Sequence, residues 1–225
     1  MFLALLLLIA GWADEPAKPE TRTEVKIEKQ AAGKPVPMSP QHVYASGDMI
    51  RIRFRTNSDG FLYVVNRDTK NQLTVLFPRD ETGRDNQVHA GTEYVIPSTA
   101  DGWFRIQGEP GYDTAYFVLS PTDLTMPGKP TASETTRTPL TAEPPLSTLR
   151  PRCDDALFRS RGECMDSDSG ARGLAPAEKV PTGVTSDGKM ISRDLTFIRK
   201  PDSTVILAKP STDSYVVYEF RIPHQ

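Results

Sequence analysis

Between Met49 and Thr56 the chain reads MIRIRFRT, with Ile50, Ile52 and Phe54 at one set of alternate positions and Arg51, Arg53 and Arg55 at the other. Strict period-two alternation predicts a strand with one dry and one wet face. Asn57, Ser58, Asp59 and Gly60 supply turn residues, and Gly60 is free to take a positive φ. The run FLYVVN at 61–66 is β-branched and aromatic, so it is expected to pair with the preceding strand as a hairpin. LTVLF at 73–77, stopped by Pro78, predicts a third strand. Short turns between the three imply an antiparallel meander, because parallel neighbours need long crossovers.

Further runs at 92–96, 103–107 and 114–120 read as strands separated by Gly- and Pro-containing turns. Late strands are expected at 193–198, 203–209 and 214–222, the last apolar enough to return to the first half as a central strand. No stretch of 44–120 carries an apolar stripe at helical spacing. The fold class is therefore all-β, an antiparallel β-sandwich or partly open barrel, interrupted by a long Pro/Thr-rich insertion.

The organisation expected is a signal peptide at 1–13, a flexible polar lead-in at 14–40 and a single β domain at 41–225. Core strands of that domain fall in 44–120 and 191–223, around a disordered, disulfide-containing insertion at 121–190. Within the lead-in, the alternation from Thr23 to Glu28 reads as a short edge strand. Phe2 to Ala10 is apolar but too short to cross a hydrocarbon core of roughly 30 Å at about 1.5 Å per residue. Gly11, Trp12 and Ala13 then place small residues at a cleavage site, before the polar Asp14 and Glu15. No Lys or Arg precedes the apolar run, so either the amino group alone serves as the basic region or translation starts upstream. A buried N-terminal helix is the competing reading. Export predicts a periplasmic or secreted chain that is not an integral membrane protein once the signal is removed.

Composition adds two constraints. The formal net charge is −2, with 27 basic and 29 acidic residues, which gives no field for nucleic acid or an anionic membrane. The two cysteines, Cys153 and Cys164, read as a disulfide in an oxidising compartment. Closing so small a loop contributes about 3 kcal/mol at most. Free thiols, or half of a zinc site, are the competing readings.

Catalysis by serine, cysteine or metal needs a base or ligand within reach. The three histidines are His42 in a loop, His89 beside a turn and His224 at what reads as a frayed terminus. Only His89 is a candidate base, against the simpler reading of an exposed loop residue. Asp166, Ser167, Asp168, Ser169 and Gly170 resemble the opening of a calcium loop, but its closing position falls on Ala177, where that geometry needs Glu. A solvated acidic loop is the alternative. Gly108 to Gly111 joins strand to strand and offers no helix N-terminus to an anion. No enzyme, metal or cofactor is expected.

Arg51, Arg53 and Arg55 make a basic stripe, able to meet acidic glycans or phosphates, or else balanced by acidic residues on a neighbouring strand. Trp103, Tyr112 and Tyr116 include candidates for sugar stacking. Tyr116 reads as core, while Trp103 follows the loop residue Gly102 and stays open.

The run from Tyr44 to Ser120 resembles a bacterial family known as domain of unknown function 4384. The resemblance rests on Ser46-Gly47-Asp48, Asn57, Asp59 through Asn66, Leu76-Phe77-Pro78, Asn86, Ala90-Gly91, Tyr94, Ile96-Pro97, Phe104, Gly111 and Val118-Leu119-Ser120. It implies a small β-sandwich-like module in exported or envelope-associated proteins, with no catalytic residues to carry over. The function expected is an exported, non-catalytic interaction module with an envelope or extracellular protein as partner. A carbohydrate-binding module using Trp103 or the arginine stripe is the alternative, and a hydrolase with an unfamiliar site is a further one.

Overall fold

A computed structural model describes residues 20–100, 102–124, 149–174, 194–209 and 215–225. The expected signal segment at 1–13 lies outside them, as does most of the insertion. Among the described residues, thirteen strands and one short helix follow in order: β1 (Thr21–Ala31), β2 (Lys34–Met38), β3 (Met49–Thr56), β4 (Gly60–Arg67), β5 (Leu73–Phe77), β6 (Gln87–Val88), β7 (Glu93–Ile96), β8 (Phe104–Arg105), β9 (Gly111–Ser120), α1 (Ala156–Ser160), β10 (Gly170–Arg172), β11 (Leu195–Arg199), β12 (Thr204–Ala208) and β13 (Val216–His224). They form two antiparallel sheets. Sheet one has the order β11-β12-β1-β3-β7, with β2 on β1 and β8 on β3. Sheet two has the order β10-β13-β9-β4-β5, with β6 on β4. The fold is a β-sandwich without barrel closure.

Alternation builds sheet one. Ile50, Ile52 and Phe54 of β3 are buried beside Val25 and Ile27 of β1, whose Cα partners are Phe54 and Ile52 respectively. Sheet two faces them with Leu62, Val64, Ala115, Phe117, Tyr218 and Phe220. The Phe117 ring joins the two layers. It stacks on Tyr218 of its own sheet at 5.2 Å between centroids and on Phe54 of the other at 6.4 Å. Strand β4 is buried on both sides, because Tyr63 and Val65 pack with Tyr116, Val118 and Val217 in a second cluster on the outer face. Leu124 packs there too, its backbone N–H donating to the Tyr63 hydroxyl at 2.8 Å. Burial and the neighbouring Asp123 carboxylate push that phenol up to about 12.

Two expectations are corrected in the first half. Strands β3 and β4 do not form a hairpin: β3 lies in sheet one and β4 in sheet two, so only β4 and β5 pair within the expected meander. The edges of β3 are occupied by β1 on one side and by β7 and β8 on the other. The turn itself is fastened to the start of β1, with Asn57 N–H donating to the Arg22 carbonyl at 3.1 Å and Arg22 N–H donating to Asn57 Oδ1 at 2.7 Å. Gly60 is needed there for space, since a Cβ would stand 2.6 Å from the Ser120 carbonyl oxygen of β9.

The polar lead-in, read as flexible with a short edge strand, is from Thr21 onward the longest strand among the described residues, held between β12 and β3. Its apolar content is low, but Glu24, Lys26, Glu28 and Lys29 each find a partner from elsewhere in the chain. Lys200 and Ser203 reach Glu24, Asp202 meets Lys26, and Arg51 and Arg53 converge on Glu28. Backbone pairing on both sides and these contacts offset the entropy that the local composition alone cannot.

The late strands complete both layers. β11 and β12 extend sheet one beyond β1, while β13 pairs along β9 in sheet two. Residues 149–174 of the insertion, expected to be disordered around the disulfide, are ordered in their own right. β10 pairs with β13, Ala171 is buried, and Cys153 is bonded to Cys164.

Candidate functional site

The outer face of sheet one carries the arginine stripe. Strand alternation points Arg51, Arg53 and Arg55 away from the core, alongside Glu24, Lys26 and Glu28 of β1. Glu28, its side chain 5% exposed, accepts from Arg51 Nε and Arg53 Nε at 2.6 Å each. Arg53 Nη1 reaches Glu93 Oε2 of β7, also at 2.6 Å. Burial works against the Arg53 charge, but its two carboxylate partners outweigh that effect and raise the guanidinium above its ordinary value. Arg51 lies over the Trp103 ring, 4.8 Å from the centroid. The stripe and Trp103 are thus brought together, yet most of the charge is neutralised within the protein. Arg55 is exposed and makes no ion pair among the described residues.

The most elaborate polar construction surrounds the disulfide. Cys153 and Cys164 close an excursion containing α1, in which no residue is buried and Leu157 is 57% exposed. Asp155 caps that helix by accepting from the Leu157 N–H at 2.8 Å. Both ends of the excursion are tied down. Asp154 N–H donates to the Met165 carbonyl at 2.9 Å, and Ser167 donates to the Asp154 carboxylate through both N–H and hydroxyl, at 3.0 and 2.7 Å. Those two bonds hold the Asp154 carboxyl below the usual carboxylate range. Against the sandwich, Val43 N–H donates to the Cys164 carbonyl and Asp166 N–H to the Gln41 carbonyl, at 3.0 and 2.8 Å.

Asp166 is the pin of this region, and the solvated acidic loop expected there is corrected. Its side chain is fully buried. It accepts from the Tyr112 hydroxyl of β9, from Arg152 N–H at 2.8 Å and from Asp168 N–H at 2.8 Å. Burial and the Asp166 carboxylate push the Tyr112 phenol upward. Tyr112 is therefore committed to this anchor. No group of three or more His, Cys, Asp or Glu side chains that would hold a metal ion occurs among the described residues.

Two clefts flank the excursion. One, of about 250 Å³, is lined by Tyr112, Leu149, Arg150, Arg152, Asp168 and Arg221. The other, of about 390 Å³ and shallower, is lined by Gln41, Asp154, Asp155, Ala156, Met165 and Ser167. The first is basic and the second acidic. Neither was legible in the sequence. Tyr112 and Asp166 stand 54 positions apart, and nothing in their local runs marks the pairing.

The histidines fall in three environments. His89 is exposed, with Nδ1 3.6 Å from Asp59 Oδ1. His42 packs edge-on against Tyr44 at 4.8 Å and is mostly buried. His224 is no frayed terminus. It is 0% exposed, the last residue of β13, with Nε2 3.7 Å from Asp113 Oδ1, and the strand end is fixed by Gln225 N–H donating to the Tyr44 carbonyl at 2.9 Å.

The class that emerges is an antiparallel sandwich with a disulfide-closed excursion mounted on one sheet. Residues 43–123 match the family model described as Domain of unknown function (DUF4384), which bears out the resemblance over that stretch. The matched segment runs from the approach to β3 through β9, so β1, the disulfide excursion and β10 to β13 lie outside it. Neither the curated proteins nor the solved structures searched include a match to the chain. No helix among the described residues is long and apolar enough to cross a membrane.

Proposed function

We propose that the protein is an exported, non-catalytic interaction module of the bacterial envelope or extracellular space, with the disulfide-closed excursion as its recognition element. The observation that carries this reading is the way the excursion is built. It contributes no buried residue of its own helix, yet a disulfide, the Asp154–Ser167 bonds and the buried Asp166 hold it rigidly. A rigid scaffold presenting an exposed, fastened loop is the usual arrangement for recognition, because little ordering entropy remains to be lost on binding. A disulfide also persists most readily outside the cytoplasm. Clefts of opposite charge on its two flanks suit a protein surface with complementary charges.

The partner is an envelope or extracellular protein. The test is site-directed photocrosslinking in cells that make the full chain, with the crosslinker at Leu157 and, as controls, at Val36 and Leu73, which are also exposed. A discrete adduct from Leu157 alone is the expected result. The same adducts from all three positions, or none from Leu157, would remove the excursion from the proposal. Export is checked separately: the chain recovered outside the cytoplasm should begin at Asp14 and show no free thiol under denaturing titration.

A carbohydrate-binding reading retains one observation, the partly exposed Trp103 beside Arg51. Glycan binding abolished by Trp103→Ala but not by changes at Leu157 would favour it.

A further inference from the structure

The basic cleft lies where the outer face of sheet two meets the chain entering the disulfide excursion. Arg221 of β13 forms part of its lining and is the residue that distinguishes it from an ordinary charged surface. Its side chain is 10% exposed and donates from Nε to Glu219 Oε1 at 3.2 Å. The same Glu219 oxygen also receives Arg172 Nε at 3.2 Å, so two guanidiniums share one carboxylate oxygen. Arg221 is also among the residues that line the cleft. A guanidinium held in place and largely out of water interacts with an anion more strongly than a solvated one, and little rotamer freedom is left to lose.

Arg150 and Arg152 complete the lining. Arg152 is engaged by Asp168 at 3.1 Å, and more distantly by Asp154 at 3.9 Å. Arg150 has no ion pair among the described residues. Tyr112 and Leu149 contribute the less polar walls. Asp166 stands behind Tyr112, but its carboxylate is already occupied by three donors and it does not line the cleft. The lining therefore holds three guanidiniums and the carboxylate of Asp168, with Glu219 pairing Arg221 from outside the cleft, which leaves Arg150 as the guanidinium with no carboxylate partner among the described residues. Its volume of about 250 Å³ exceeds the roughly 30 Å³ share of one water several-fold, which leaves room for a compact anion with part of its hydration.

We propose that this cleft is a binding site for a small oxyanion, a carboxylate or a phosphate, held by Arg221 and Arg150 with Arg152 at the rim. Guanidinium forks match the paired oxygens of either group. The inference rests on the interaction-module reading for its biological use, since such an anion would be carried by whatever binds this flank. Its chemistry stands independently of the excursion's partner.

The test is calorimetric titration of the full chain with inorganic phosphate and, in a separate arm, with succinate, each against sodium chloride at matched ionic strength. Arginine Nε–H chemical shifts are followed in parallel. Saturable binding of either anion is expected, weakened about tenfold or more by Arg150→Ala and by Arg221→Gln and unchanged by Lys34→Ala on the remote strand β2. The arm that saturates identifies the anion's class. If Arg221→Gln does not fold, Arg150→Ala decides alone. No response beyond that to chloride, full affinity in Arg150→Ala, or an equal loss in Lys34→Ala would overturn the proposal. Such a failure leaves the Leu157 crosslinking result untouched, so the two readings fail separately.

Discussion

The Tyr112 hydroxyl of β9 donates to the buried carboxylate of Asp166, joining the centre of sheet two to the disulfide segment. The same carboxylate takes the N–H groups of Arg152 and Asp168, so one side chain organises the chain on both sides of the cleft. Asp166→Ala leaves these donors without their acceptor and is expected to cost about 3 kcal/mol. Tyr112→Phe removes one of the three and should cost about 1.5 kcal/mol. Urea unfolding of both variants measures this, and equal, negligible losses would mean that the anchor contributes nothing to the fold.

Glu28 bridges Arg51 and Arg53 on the outer face of sheet one, and the arginine side chains are only 20% and 26% exposed. Glu28→Ala takes the carboxylate from Arg51 and leaves Arg53 with Glu93 alone, and should destabilise the protein by about 2 kcal/mol. Arg55→Ala, on the same strand but exposed, should stay within about 0.5 kcal/mol of the parent. Denaturant midpoints for the two variants separate a working ion-pair network from a merely wet face.

His42 supplies an acid-sensitive contribution. Burial, with Lys29 nearby, pushes its imidazole below the ordinary 6.5 against the opposing pull of Asp48 and Glu163. The folded chain therefore binds fewer protons at this position than the unfolded chain. Stability from neutral His42 is complete above 6.5 and is lost as pH falls through that value toward the depressed folded one. The urea midpoint should fall between roughly pH 7 and pH 5, with a shallower fall in His42→Gln. Superimposable pH profiles would exclude His42 as the source.

Phe117 stacks on Tyr218 and on Phe54, and so spans both layers. Phe117→Ala opens a cavity at their junction and is expected to cost about 4 kcal/mol. Ile198→Ala, on the exposed side of the edge strand β11, should cost less than about 0.5 kcal/mol. Thermal or chemical unfolding compares the two.

Local pattern carried much of the fold. The alternation of Ile50, Ile52 and Phe54 placed β3 and its dry face, and the run ending in Phe220 marked a strand that returns to pair with β9. The pairing of Cys153 with Cys164 was readable because the chain has no other cysteine. The match over 43–123 agrees with the residues that carried the family resemblance. The arginine stripe proved to be the balanced face that its alternation also allowed, since Glu28 and Glu93 take the charges of Arg51 and Arg53.

What the sequence determined by itself was β3 with its dry face, most of the strands in 61–120 and 193–222, and where the covalent closure lies. Those properties depend on residues two apart, or on a unique pair. Only the tertiary structure decided that β3 and β4 separate into different sheets, that the polar stretch of β1 is an interior strand, and that Tyr112, Asp166 and Arg221 meet beside one cleft. Each of these depends on partners many residues away. A charged or polar side chain has the same local signature whether it faces water or a distant donor, and it is the desolvated contact that separates the two.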